Sequence, residues 1–141
     1  MSSKTVHILL VDDDDVDVMA VKRAFRKHRI ANPITVARDG IEALAMLREE
    51  DGYPSVPRPF IILLDINMPR MNGLQFLEEL RGDPAIEDSV IFVLTTSRHD
   101  EDRIAAYKRH VAGYIVKTDI GNGFMKLVEM LDSYWRVVEL P

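Results

Sequence analysis

The chain has 141 residues, 47% apolar and 29% charged, with a net charge of −5 and no cysteine. That size suits one domain around a single core. The acidic balance, with no long Lys/Arg stripe, argues against a nucleic-acid surface, and the missing cysteines exclude a disulfide framework or a thiolate metal site.

Met1–Thr5 leads straight into an apolar run without a signal-peptide core, and no apolar stretch approaches the ~18–20 residues that cross a bilayer. A cytoplasmic protein, not in a membrane, is therefore expected. The first strand is predicted over Val6–Val11 and ends in Asp12-Asp13-Asp14-Asp15. Val18, Val21 and Phe25 then fall at helical spacing, with Lys22, Arg23, Arg26 and Lys27 on the other faces. A second strand is predicted at Ile34–Ala37 and a second helix at Gly40–Glu49. The Pro-rich stretch Asp51–Pro59 reads as a long surface connection rather than a domain boundary. Phe60–Leu64 is an uninterrupted apolar run, which belongs in the middle of a parallel sheet covered on both faces. Leu74–Arg81 reads as the third helix, Val90–Leu94 as the fourth strand and Asp100–His110 as the fourth helix. Gly113–Val116 and Asn122–Val138 complete the series. Five βα units in sequence predict an α/β fold, a doubly wound five-stranded parallel sheet with right-handed crossovers. The whole chain, 1–141, reads as one domain with its core at about 6–131.

Strand three delivers Asp65 to the carboxyl edge of the sheet, where open α/β sheets place their ligands. Strand one delivers Asp12 and Asp13 to the same edge. Two unit charges ~4 Å apart repel by ~4 kcal/mol at an effective dielectric of ~20, and a divalent cation removes that repulsion. Oxygen ligands without His or Cys point to Mg²⁺, or Mn²⁺. The plainer reading is a solvated loop that caps the first helix, and Asp14, Asp15 and Asp17 are assigned to it. Strand four ends in Leu94-Thr95-Thr96-Ser97 and strand five in Val116-Lys117, either of which alone suits a turn hydroxyl or a snorkelling lysine. Together, an acid pair, an isolated Asp, a hydroxyl and a lysine are the parts that phosphoryl transfer needs.

These segments resemble the response-regulator receiver domain across nearly the whole chain, from Val6 to about Leu131. The resemblance rests on ILLVDDDD (Ile8–Asp15), LLDINMPRMNG (Leu63–Gly73), VLTTS (Val93–Ser97) and GYIVK (Gly113–Lys117). The steps of 30 residues from Asp65 to Thr95 and 22 from Thr95 to Lys117 match the family's spacing. It implies a flavodoxin-like (βα)5 fold with strand order 2-1-3-4-5 and Asp65 as phosphoacceptor. Asp13 and Asp65 would bind Mg²⁺ through side chains, Asn67 through its carbonyl, and Asp12 through water. Thr95 and Lys117 would contact the phosphoryl oxygens, and Tyr114 matches the switch aromatic, though an amphipathic strand-edge tyrosine fits equally. Asn67 and Ser97 occupy positions that tune phosphoryl lifetime. Lys117 precedes Thr118 where the family usually has a cis proline. A cis bond before threonine costs ~2.5–4 kcal/mol, so the trans state is the cheaper one.

The resemblance implies a sensor histidine kinase as phosphodonor. With no DNA-binding or catalytic domain expected after the last helix, output would run through protein–protein contact. In that helix Phe124, Leu127, Val128, Leu131, Trp135 and Val138 form one stripe, and Met130, Tyr134 and Val137 form a second that suits a homodimer interface or a fold-back onto the same subunit. Asp51–Phe60 and Tyr134-Trp135 are similar to a narrower group, the single-domain response regulators paired with bacterial phytochromes. Two other classes compete. One is a Mg²⁺-dependent phosphatase or phosphotransferase with an aspartyl-phosphate intermediate, although Asp65-Ile66-Asn67 lacks the second acid such enzymes use. The other is a degenerate binding module, against which Asp13, Asp65, Thr95 and Lys117 all argue. The domain assists its own phosphotransfer but is not expected to turn over as an independent enzyme.

Overall fold

The computed structural model describes residues 6–27, 31–65, 73–95 and 111–116. The fourth and fifth helices expected from the sequence lie outside them, as does the dimer stripe of Met130, Tyr134 and Val137.

Five parallel strands form one sheet in the order β2-β1-β3-β4-β5. They are β1 (His7–Val11), β2 (Ile34–Ala37), β3 (Phe60–Asp65), β4 (Val90–Thr95) and β5 (Gly113–Val116), with helices α1 (Asp15–Lys27), α2 (Gly40–Leu47) and α3 (Gly73–Arg81) between them. The doubly wound α/β expectation holds. β1 and β3 are buried along almost their whole length, because helices cover the sheet on both faces. On one face, α2 and α3 bring Leu44, Met46, Phe76, Leu77 and Leu80 against Leu9, Val11, Ile62 and Leu64. On the other, Val18, Val21, Ala24 and Phe25 of α1 meet Ile8, Leu10, Leu63 and Leu94.

Local chemistry sets the boundaries. α1 opens on Asp14, whose carboxylate accepts the Val16 N–H at 2.8 Å and whose carbonyl accepts that of Val18. Acids in its first turn and Arg26 and Lys27 in its last complement the helix dipole. Asp39 caps α2 by accepting the Glu42 N–H at 2.8 Å, a bond whose loss costs ~0.5–2 kcal/mol in such caps. α2 ends at Leu47, two residues before the expected Glu49. Glu49 turns left-handed with φ 55°, and the N–H groups of Glu49 and Glu50 close back on the carbonyls of Met46 and Ala45. This double closure satisfies the helix's last carbonyls.

The Pro-rich connection is mostly exposed, as expected, yet it is anchored. Val56 is buried in the α2/α3-side core, and the Arg58 guanidinium donates to the Ala85 carbonyl at 2.7 Å. The connection between α3 and β4 is tied in turn by Arg81, which donates to the carbonyls of Glu87 and Ser89.

Candidate functional site

Strand register places the acids. Val11 pairs with Leu64 and with Ala37, and Asp65 pairs with Leu94. Asp12 therefore leaves β1 directly beside Asp65, at the carboxyl edge of adjacent strands. Both are buried, at 0% and 2% exposure. The Asp12 backbone N–H donates to the Ala37 carbonyl at 2.9 Å, and one of its carboxylate oxygens accepts the Asp14 N–H at 2.9 Å. These bonds hold Asp12 at the strand end.

A third acid close to this pair is Asp17. One carboxylate oxygen from each of Asp12, Asp17 and Asp65 lies within 4.8 Å of the other two. Asp13 is exposed and stands outside this group. The four consecutive acids divide the work: Asp12 is buried at the edge, Asp13 faces solvent, Asp14 caps α1, and Asp15 pairs with Arg38 at 2.7 Å. The Arg38 guanidinium is held charged, with its pKa raised first by the Asp15 hydrogen bond and then by the attraction of the two charges. Both partners are exposed, so solvent screens the pair. Asp17, expected to serve the helix start with Asp14 and Asp15, lies in the first turn of α1 and also reaches the two strand-end acids. The signal was available in the sequence. Val21 and Ala24 lie four and seven residues on and are both buried, so Asp17 occupies the inward stripe of α1.

The other expected residues separate by position. Thr95 ends β4 in register with Val116, one residue beyond the partner of Asp65. Tyr114 on β5 is half-buried and packs against the core on the α2/α3 face. Burial raises its phenol pKa, and the ring stays neutral at physiological pH. Gly113 lets β5 approach the Phe92 ring, where a Cβ would stand 3.1 Å from a ring carbon. Asn67, Ser97 and Lys117 lie outside the described residues.

Oxygen-only donors, two of them buried, suit a hard divalent cation. Carboxylates within 4.8 Å fit a cation bound directly by some and through water by others. The donor set fits Mg²⁺ or Mn²⁺.

Residues 8–129 match the model of the response regulator receiver domain. The chain belongs to that family. This receiver domain is 36% identical over 135 residues to response regulator Rcp1 of Synechocystis sp., covering 95% of this chain and 92% of Rcp1. The Mn²⁺-bound form of Rcp1 superposes with a TM-score of 0.71 at 35% identity, over 92% of this chain and 94% of that one. The bacteriophytochrome response regulator AtBRR gives 0.77 at 32% identity, covering 89% and 91% of the two chains. The phosphorylated cyanobacterial phytochrome response regulator RcpA gives 0.74 at 32% identity, covering 94% of each. The receiver is thus a response regulator related to those of phytochrome systems, a signalling protein. Among the described residues no helix is long and apolar enough to cross a membrane.

Proposed function

We propose that this receiver domain takes a phosphoryl group onto Asp65 from the phosphohistidine of a phytochrome-type sensor histidine kinase, with Mg²⁺ or Mn²⁺ as cofactor. The observation that carries the reading is the pair of buried carboxylates, Asp12 and Asp65, at neighbouring strand ends. Burying two like charges side by side is unfavourable without a counter-cation, and the strand ends hold both in place. The phosphorylated form of RcpA and the Mn²⁺-bound form of Rcp1, both similar over most of the chain, support the same chemistry here.

In this reading the Asp65 carboxylate attacks phosphorus in line as the histidine nitrogen leaves. The cation would be held by Asp65 and Asp13, by the Asn67 carbonyl and, through water, by Asp12. When bound it would neutralise charge on the transferring oxygens. Thr95 and Lys117 bind the phosphoryl oxygens, and Asn67 and Ser97 set its lifetime. The new phosphoryl group adds about −1.5 to −2 charges. Closing Thr95 toward it biases the β4–β5 face, where Tyr114 fills the vacated space. The signal then passes to a protein partner in the cytoplasm. The chain acts as a single receiver domain, with Met130, Tyr134 and Val137 as the homodimer contact.

Metal removal tests the reading. Incubation with acetyl phosphate and Mg²⁺ should label the protein to about one phosphoryl group per chain by intact-mass spectrometry, a stoichiometry set by one nucleophile. EDTA should abolish the label. Undiminished labelling in EDTA would contradict the cation's role.

A further inference from the structure

β2 is an edge of the sheet, paired on one side with β1. Its hydrogen bonds show which groups face outward. The carbonyls of Pro33 and Ala37 accept the N–H groups of Ile8 and Asp12, both at 2.9 Å. Backbone direction alternates along a strand. Thr35 therefore faces β1 as well, while Ile34 and Val36 turn their N–H and C=O groups to the open edge. Their side chains pack, half-buried, on the α1 face. An open cleft of about 410 Å³ lies between α1 and this strand, lined by Lys22, Phe25, Arg26, Ala31, Asn32 and Ile34. Phe25 is buried and forms part of its apolar surface with Ile34. Asn32 is held by its side-chain amide, which donates to the Val6 carbonyl at 2.8 Å. Lys22 and Arg26, one helical turn apart, are exposed. Neither has an acid partner among the described residues.

We propose that the β2 edge is a docking site for an extended acidic segment of a partner protein. The segment adds to the sheet as a sixth strand, seats an apolar side chain against Phe25 and Ile34, and sets carboxylates against Lys22 and Arg26. Nothing in this depends on the phosphoryl chemistry at Asp65. α1 runs opposite to the strands, so its last turns lie at the amino edge of the sheet, away from the acids.

Three features select this occupant. The cleft and its two cations call for a ligand that is apolar and anionic on one side. An extended chain supplies that, because residues two apart share a face. The open N–H and C=O groups of Ile34 and Val36 call for a backbone. A second copy of this chain is the wrong partner. Pairing β2 with itself antiparallel sets both α1 helices on one face of the joined sheet, bringing two Lys22–Arg26 pairs together, like charge against like.

Cations beside an edge strand also protect it from self-association, and that role makes different demands. Protection alone leaves the edge solvated, with the Ile34 and Val36 amides exchanging at one rate whatever peptide is present.

The test uses the full chain and end-blocked peptides Glu-Thr-X-Thr-Glu, with leucine, valine or phenylalanine at X, at millimolar concentration. Hydrogen exchange followed by NMR should slow at the Ile34 and Val36 amides. It should stay unchanged at Thr35, which faces β1. Lys22→Glu combined with Arg26→Glu should weaken binding by about 10-fold, the scale of two exposed charge pairs replaced by repulsion. The same variant should bind the Lys-Thr-X-Thr-Lys peptides instead, with phosphoryl uptake unchanged. If it fails to fold, Lys22→Gln with Arg26→Gln makes the comparison with a smaller loss. Backbone N-methylation of the peptide should abolish binding. Full binding by N-methylated peptides would overturn strand addition. No binding by any of the peptides, or binding indifferent to the charge reversal, would overturn the site. Protection of Ile34 and Val36 without peptide, rising with protein concentration, would assign the edge to a second copy and overturn the proposal too.

Discussion

Asp65→Asn should fold normally and take up no phosphoryl group from acetyl phosphate or phosphoramidate, where the wild type takes up about one per chain. The amide is nearly isosteric with the carboxylate, so a side chain of 2% exposure loses no packing. What it loses is the ionised oxygen. An amide oxygen is a poor nucleophile, and no neighbouring base can restore it. The substitution also removes one charge from three carboxylates within 4.8 Å of one another. Like charges at that separation repel by roughly 3 kcal/mol at an effective dielectric of ~20. The metal-free variant should therefore melt at the wild-type temperature or above it, and Mg²⁺ should raise its midpoint less than it raises the wild type's. Thermal scans with and without Mg²⁺ measure both. A variant that still labels stoichiometrically would mean that another acid is the acceptor.

The largest loss of stability is expected at Phe76. Among the described residues it is the bulkiest of the fully buried side chains, and it packs from α3 into the core that supports β3. Truncation removes its burial and leaves a cavity that surrounding side chains fill only in part. Phe76→Ala should lose ~3–5 kcal/mol, out of the ~5–15 kcal/mol typical of a domain. On the scale of ~2–4 °C per kcal/mol, the melting midpoint falls on the order of 10 °C. Phosphoryl uptake should follow the folded fraction. Glu78→Ala, on the exposed face of the same helix, should change stability by no more than ~0.5 kcal/mol. A loss below ~1 kcal/mol at Phe76 would mean that the core relaxes around it more completely than a close-packed interior allows.

The sheet was legible because its signals are local and strong. Ile8–Val11 and Phe60–Leu64 are continuous apolar runs too short for helices, and acids end both. Boundaries moved where hydrogen bonding, not hydropathy, decides them. Val6 is buried yet outside β1, and Glu49 closes α2 in a left-handed conformation usually given to glycine. The Pro-rich connection reads as surface by composition, and the buried Val56 and the Arg58 bond to Ala85 show how it is held.

At the site, strand ends predict proximity well because register does the placing, as with Asp12 beside Asp65. The acid from the helix was harder. In a run of four aspartates sequence distance points to Asp13, which is exposed, and says nothing of an acid further along the helix. Asp17, five positions on, is returned to the edge by one turn of α1. Helical periodicity from the buried Val21 and Ala24 carries that information, and counting backward along the stripe recovers it.

The most direct measurement is to locate the phosphoryl group. After incubation with acetyl phosphate and Mg²⁺, borohydride reduces an aspartyl phosphate to homoserine, and peptide mass spectrometry reads its position. The account predicts homoserine at position 65 and at no other aspartate. Homoserine at Asp12, Asp13 or Asp17 instead, or phosphate found only on a histidine, would contradict it.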